Sequence, residues 1–562
     1  MPNHAYRAAS APSVVQRARN TRTGRKLERG GYLTVETVTM WIVYALTLIG
    51  NAVIEGGRVG GTTSADIAYG VFTWFTPAGY VFAIWSLIYV AMVVWLVAYT
   101  RTAPVRADRF TMTSILFIAS CALNVLWLAL WHFELVAVSF IVILAEWLVL
   151  AALVGCVVGP LGGAFGLALN GANATRGAHP WLLYLLPVAG LVIVFLYHRF
   201  DPDGGGSTNQ IFVSVREHKP LTLRTAPLIF VSTVATHLFG GSSGREGAAL
   251  LLGGSVSGQL GRALRLENRD CRLMTMCGMA GAFSAIFGTP LAATIFTLEV
   301  VDVGSMQYAA LLPCLVSALL GVFISGKMGL APEAFVLQAE AAPTPDNLVR
   351  VIILGALLAA LSIFFCELLH VTPKLYRKFF PNIYLRVAAG GVLIIALTRL
   401  LGTTDYNGAG AAVIEAAIDG EAVPYAFLLK MLFTALTLGA GFKGGEIVPI
   451  FFTGATFGCV AAPLLGLPPQ LGAALGMVAL FCGCTNSPLA SICLAIEVFG
   501  GQCVSLFALA CAVSYMLSSY FSLYREQHFL HSKLRIVGVQ RVHGHWSETD
   551  AAHLTTNDDG EN

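Results

Sequence analysis

Apolar residues run in blocks of bilayer length through most of this chain, at 38–54, 81–99, 111–131, 134–158, 181–198, 307–325, 349–370, 383–401, 425–440 and 503–523. A helix needs about 20 mostly apolar residues to cross the hydrocarbon layer, so each block predicts a transmembrane helix. Further apolar stretches, at 224–240, 246–260, 285–300 and 448–465, are short or interrupted by Gly and Pro. Such interruptions predict half-helices ending inside the membrane, where irregular backbone is tolerated only around a buried or water-lined site. Around 134–172 the pattern fits either one long tilted helix or two short ones broken near Gly159-Pro160-Leu161-Gly162-Gly163.

Two of the interrupted regions are written to one pattern. Gly241-Ser-Ser-Gly244-Arg-Glu246 continues through Gly254 and Gly258, and Gly441-Phe-Lys-Gly444-Gly-Glu446 continues through Gly454 and Gly458, a shift of 200. Downstream, Gly278-Met279 matches Gly476-Met477, and Thr289-Pro-Leu-Ala with Glu299-Val300 matches Ser487-Pro-Leu-Ala with Glu497-Val498, a shift of 198. Two ordered series that each keep their carboxylates indicate a duplicated membrane unit, and in transporters so built the ligand sits where the copies meet.

Composition supports the membrane reading. The 562 residues are 56% hydrophobic and 12% charged, with a mean hydropathy of +0.73, whereas a soluble domain carries about 25% charged residues. The net charge of +3 gives no indication of a nucleic-acid partner. Basic residues collect at Arg17, Arg19, Arg22, Arg25, Lys26 and Arg29, at 101–109 and at 525–541. These are cytoplasmic ends by the positive-inside rule, and a multi-pass protein of a bacterial inner membrane is expected. The cysteines fall mostly in apolar spans without CxxC pairs, which favours packing over metal or disulfide chemistry. The polar tail from 536 to 562 is expected to lack structure.

Seven of the nine tryptophans (Trp41, Trp74, Trp85, Trp95, Trp127, Trp131 and Trp147) precede residue 150. Anchoring at the headgroup level accounts for many of them. The run Phe75-Thr-Pro-Ala-Gly-Tyr80-Val-Phe-Ala-Ile-Trp85-Ser-Leu-Ile-Tyr89, with Asn124-Val-Leu-Trp127-Leu-Ala-Leu-Trp131-His132, resembles the tryptophan-rich sensory proteins of the translocator family. That family has at least five spans and three or four fit here. A truncated copy serving packing or assembly is therefore expected at 38–143, after a basic cytoplasmic tail at 1–37. Glu146, a charge within a span, reads as a snorkelling or helix-pairing residue before a functional one.

The chemistry lies at the Gly-marked helix starts. Glycines permit the sharp turn at Gly240-Gly-Ser-Ser-Gly244-Arg-Glu246-Gly247, which places Glu246 in the first turn of a helix. A helix N-terminus offers unpaired N–H groups and about half a unit of positive charge, so it attracts anions in a dry setting. A carboxylate there is a tethered anion that competes with a mobile one and yields when protonated. The plainer role is a cap for its own helix. The second start, Gly441-Phe-Lys-Gly444-Gly445-Glu446-Ile447-Val-Pro449, has the same logic, with Pro tolerated in the first turn. A third is Gly204-Gly-Gly-Ser207-Thr208-Asn209-Gln210, where Ser207 can donate its hydroxyl.

Gly244-Arg-Glu246-Gly, the run Gly278…Gly281…Phe287-Gly-Thr-Pro290…Phe296…Glu299, and Gly444-Gly-Glu-Ile-Val-Pro449 resemble the CLC family of chloride channels and anion/proton antiporters over about 144–535. The resemblance implies an all-α, internally duplicated, inverted-repeat membrane fold with repeats at about 144–325 and 349–525. It also implies a homodimer with one ion path per subunit. Residue by residue, it makes Glu246 the gate, and Ser207, Glu446, Ile447 and Tyr524 the anion ligands, with Tyr520 the alternative tyrosine. Gly244, Gly247, Gly444 and Gly445 become the helix-end glycines. The family's serine motif is Gly206-Ser-Thr-Asn-Gln here. By the resemblance, coupled members carry an internal proton-accepting carboxylate at the position occupied here by Val300, which leaves the adjacent Glu299 as the proton-path candidate. The altered serine string and Gly-Gly-Glu-hydrophobic-x-Pro resemble the fluoride-exporting, proton-exchanging branch.

The expected partners are chloride, fluoride, protons and lipid. No Walker-type loop, nucleophile–base arrangement or metal-spaced His pair is visible, so neither an enzyme, a cofactor nor a metal site is expected. His132, His179, His237 and His370 read as packing or helix-end residues. The competing reading is a ligand-binding sensor built on the Trp-rich N-terminus.

Overall fold

A computed structural model describes residues 34–56, 89, 92–93, 96–97, 99–100, 112–132, 136–201, 208–217, 221–264, 266, 268–339, 341–533, 538–542 and 545–549. Ser207, the N-terminal basic run, the 101–109 cluster, Trp74, Trp85, most of the 81–99 span and the far C-terminus lie outside them. The described chain divides into two compact units, Met1–Trp147 and Leu148–Asn562.

The first unit contains α1 (Val35–Gly56) and α2 (Met112–His132), and α3 (Val136–Ala178) begins in it. Buried Met40, Tyr44, Leu96 and Cys121 make its small core. Polar residues join its helices: the Asn51 amide donates to the Asn124 carbonyl oxygen at 2.9 Å, and the Tyr89 hydroxyl donates to the same oxygen at 3.2 Å. Trp41 donates its indole N–H to Thr100 at 3.0 Å, so at least this tryptophan is fixed by a partner inside the unit.

The second unit continues with α4 (Leu186–Phe200), α5 (Asn209–Glu217), α6 (Thr225–Leu238), α7 (Glu246–Ala263), α8 (Asn268–Phe287), α9 (Pro290–Glu299), β1 (Asp302–Val303) and α10 (Leu311–Lys327). There follow α11 (Pro345–Phe379), α12 (Ile383–Leu401), α13 (Ala411–Ile418), α14 (Ala426–Ala440), α15 (Ile447–Leu464), α16 (Pro469–Thr485), α17 (Pro488–Phe499) and α18 (Val504–Leu517). The chain then forms β2 (His528–Phe529), β3 (Gly538–Val542) and β4 (His545–Thr549). Among the described residues, seven helical stretches are long and apolar enough to cross a membrane; α6, α9, α14, α16, α17 and α18 are apolar but shorter.

The 134–172 ambiguity resolves as one helix, α3, with Pro160 inside it. Its glycines serve close packing and do not break it: a Cβ on Gly155 would lie 2.8 Å from Leu320, and one on Gly159 would lie 3.3 Å from the Gly321 Cα. The same device builds the inner helix pairs. A Cβ on Gly253 would stand 2.1 Å from the Gly278 carbonyl oxygen, and one on Gly454 would stand 2.2 Å from that of Gly476. Small residues let backbones approach where lipid supplies no hydrophobic drive between helices.

The all-α fold class holds, with one short strand pair added to it: β1 and β2 pair in parallel, with Asp302 opposite His528 and Val303 opposite Phe529. One expectation needs correction. The tail from 536 is not uniformly without structure, because β3 and β4 form an antiparallel hairpin from Gly538↔Thr549 to Val542↔His545.

Candidate functional site

The two copies meet at a pair of glycines. Gly244 N–H donates to the Gly445 carbonyl at 2.6 Å, and Gly445 N–H donates back to Gly244 at 2.7 Å. No side chain fits between them: a Cβ on Gly445 would lie 2.7 Å from the Gly247 nitrogen and 2.9 Å from that of Glu246. Each approach is set by a glycine with φ in the left-handed region, Gly240 at 84° and Gly441 at 119°. From this bridge α7 and α15 begin, with their unpaired N–H groups and positive dipole ends adjacent.

The geometry revises the register of the repeat. Glu246 is the first residue of α7, whereas Ile447 is the first residue of α15. Gly240 with Gly441, Gly244 with Gly445 and Glu246 with Ile447 are each offset by 201, one more than the aligned motif suggested. Glu446 therefore stands where Arg245 stands in the first copy, just before the helix.

The Glu246 side chain is fully buried. Its Oε2 accepts from the Arg245 backbone N–H at 3.0 Å and from the Val448 N–H of the other copy at 3.3 Å. The carboxylate thus sits across both helix ends. Its Oε1 lies 3.5 Å from the Arg245 Nε and has no hydrogen-bond partner. Glu446 directs its Oε2 to Gly247, where a Cβ would lie 3.0 Å from that oxygen and 2.7 Å from the Thr208 hydroxyl. Among the described residues this Glu446 oxygen is buried with the Thr208 hydroxyl as its polar neighbour. Ile447 is fully buried at the first position of α15.

Of the two tyrosines, Tyr520 donates its hydroxyl to Ser532 at 3.1 Å and packs edge-on against Phe529. Tyr524 is buried, its ring centroid 4.7 Å from that of Phe212, and its hydroxyl has no hydrogen-bond partner among the described residues. That hydroxyl lies within electrostatic reach of both Glu446 and Glu246. Ser522 and Gln527 hold it in place: Tyr524 N–H donates to Ser522 Oγ at 3.0 Å, Ser522 donates to the Gln527 carbonyl at 2.6 Å, and the Gln527 amide donates to Val300 O and Thr485 O. Among the described residues, buried oxygen atoms of Glu246, Glu446 and Tyr524 that lack a geometric hydrogen bond thus occur in one neighbourhood.

Glu299 is occupied elsewhere. Its carboxylate accepts from Leu489 N–H at 3.1 Å and Ala490 N–H at 2.8 Å, capping α17. Glu497 returns the arrangement, accepting from Leu291 and Ala292 N–H at 2.8 Å each and capping α9. The proton-path candidate is thus one half of a reciprocal clasp between the copies, with both oxygens engaged.

Sequence reading missed several site residues. Thr208 and Val448 adjoin residues that it named. Arg245 was read only as part of a motif, and Glu333 was not considered. It also missed a closed ring of five phenylalanines: Phe283–Phe287 at 4.9 Å, Phe287–Phe451 at 5.7 Å, Phe451–Phe481 at 5.4 Å, Phe481–Phe296 at 5.6 Å and Phe296–Phe283 at 5.4 Å between centroids. Spacings of four residues and more across two copies leave no local signal for such a ring.

A family model described as voltage gated chloride channel matches residues 189–519. The chain belongs to the voltage-gated chloride channel (CLC) family. A "Chloride/fluoride channel protein" of Pseudomonas syringae pv. tomato is 36% identical over 397 residues, covering 69% of this chain and 88% of that protein. An "H(+)/Cl(-) exchange transporter ClcA" of Vibrio parahaemolyticus is 26% identical over 381 residues, covering 62% and 81%. A crystal structure described as a CLC-type fluoride/proton antiporter aligns with a TM-score of 0.66 at 33% identity, covering 69% of this chain and 98% of that one. A slow cyanobacterial Cl−/H+ antiporter shares the fold, with a TM-score of 0.59 at 20% identity. At the N-terminus a second model, TSPO-like protein, matches residues 37–160. This CLC-type chain is therefore an integral membrane protein whose relatives are named as channels and transporters.

Proposed function

We propose that this CLC-type chain moves halide ions across a bacterial inner membrane in exchange for protons, fluoride in preference to chloride, with Glu246 as the gate. The observation that carries the reading is the Glu246 carboxylate seated on the N–H groups of Arg245 and Val448, one from each copy. A carboxylate in that seat occupies donors that would otherwise hold a mobile anion. Protonation removes its charge, releases it and opens the seat, so proton binding and anion passage become linked. Glu446 is the second acid of the site, with the Thr208 hydroxyl beside it at Gly247. Ser207, the Glu446 and Ile447 amides and the Tyr524 hydroxyl are the proposed anion ligands.

Fluoride is favoured because a small, strongly hydrated anion needs good hydrogen-bond donors to replace its water, and the site offers amides and hydroxyls. The names of the relatives at 36% and 33% identity point the same way. The proposed working form is a homodimer with one path per subunit. In proteoliposomes, efflux followed with ion-selective electrodes should favour fluoride over chloride by about tenfold or more, equivalent to about 1.4 kcal/mol. Equal rates would make this a chloride protein.

A further inference from the structure

The loop between α10 and α11 brings a carboxylate to the gate. Glu333 N–H donates to the Phe287 carbonyl at 2.9 Å, and Phe335 N–H donates to the Val498 carbonyl at 2.9 Å, so the loop is fastened to both copies. Pro332 beds on Gly288, whose φ is 76°; a Cβ there would lie 2.2 Å from the Pro332 Cβ. The Glu333 side chain keeps 34% of its surface exposed, yet its Oε1 forms an ion pair with Nη2 of Arg245, whose side chain is only 12% exposed. The same guanidinium rests 5.8 Å from the centroid of Phe287 and presents its Nε to Glu246 Oε1 at 3.5 Å.

The two contacts of Arg245 are unequal. The pair with Glu333 is within hydrogen-bonding distance. On the Glu246 side, among the described residues, Nε makes no hydrogen bond and Oε1 accepts none. A guanidinium is a rigid planar fork, so holding one edge fixes what the other edge can reach.

We propose that Glu333 is a positioning residue for the gate, holding Arg245 back from Glu246 so that the gating carboxylate can be released. This rests on the reading of Glu246 as gate. Two effects act in the same direction. Glu333 turns the guanidinium away from Glu246, and its own negative charge repels the gate. Neutralising Glu333 lets Arg245 close on Glu246 and removes the repulsion, so the charged, occluding gate becomes more stable. More acid is then needed to open it. The other titratable groups within electrostatic reach are Glu446 and Tyr524 for Glu246, and His237 for Arg245. None of them is altered by the change at 333.

The test is the pH dependence of halide efflux from proteoliposomes between about pH 5.5 and 8.5, with protein-free vesicles to subtract leakage of hydrogen fluoride. Glu333→Gln should move half-maximal efflux to lower pH by about half to one unit, the size of shift that a nearby charge produces. Glu333→Lys should move it further in the same direction, because it drives Arg245 inward. Arg245→Gln should move it to higher pH, and in that background Glu333→Gln should retain less than half of its own shift. An unmoved profile in both Glu333 variants, or an undiminished shift without Arg245, overturns the proposal. Glu246→Gln separates the two ideas. If that variant keeps the full pH dependence, the gate reading itself fails; if it flattens the profile while Glu333 variants do nothing, only the positioning role fails.

Discussion

The two copies present the same backbone and different chemistry. Each has a left-handed glycine, a bridging glycine and then a helix whose first amides face the other copy. In the first copy the carboxylate is the first helical residue, Glu246, and it crosses to the partner helix at Val448. In the second the carboxylate comes one residue earlier, at Glu446, with Ile447 in the equivalent place. A one-residue displacement turns a side chain by about 100° around the helix axis, which is enough to change its neighbours entirely. Duplication has supplied the frame, and a single register step separates the acid proposed as the gate from its companion.

The largest effect is expected where the copies share backbone. Gly445→Ala would put a methyl group 2.7 Å from the Gly247 nitrogen, an overlap costing about 3 kcal/mol or more. Efflux should be abolished and the monodisperse peak in size exclusion reduced; a wild-type rate would show that the bridge is not needed. Next, Glu246→Gln should raise efflux at alkaline pH to the acid level, because the wild-type rate falls as the charged carboxylate takes its seat. Glu446→Gln should slow efflux yet leave a slope with pH. Identical profiles for the two variants would erase the distinction between the copies. The smallest effect concerns the clasp. Glu299→Gln and Glu497→Gln each replace a charge-assisted cap by a neutral one, worth about 1 kcal/mol. Their thermal unfolding midpoints in detergent should drop equally, and the proton-to-halide ratio should stay at the wild-type value. A changed ratio for Glu299→Gln alone would restore that residue to the proton path.

Much of this was legible in the residue pattern. Bilayer-length runs marked the long helices, and interrupted runs marked the broken ones, because lipid forces every span to satisfy its own backbone. Glycine spacing announced the duplication, since close helix contact admits little else. Helices α8 and α16 went unread because α8 opens on a polar turn before its buried stretch and α16 is shorter than a bilayer-length run, both with glycines interrupting the apolar pattern. The one-residue register error has a similar origin: Gly444 and Gly445 are adjacent, and only the hydrogen bond shows which of them answers Gly244. The clasp joins Glu299 to Leu489 and Glu497 to Leu291, residues 190 and 206 apart, and the pairing of Arg245 with Glu333 joins residues 88 apart, beyond the reach of any local periodicity. The N-terminal unit was recognised from its aromatic string, and the TSPO-like match over 37–160 agrees.

The glycine bridge also restricts how ions can change sides. If the copies swung apart, two N–H and two C=O groups now paired at 2.6 and 2.7 Å would face a medium with no water to take them. At about 1–3 kcal/mol for each stranded group, the penalty would be about 4–12 kcal/mol on every turnover. A stationary scaffold avoids it. On the proposed reading of Glu246, traffic through such a scaffold relies on pivoting side chains, and its speed is set by how often that acid leaves its perch.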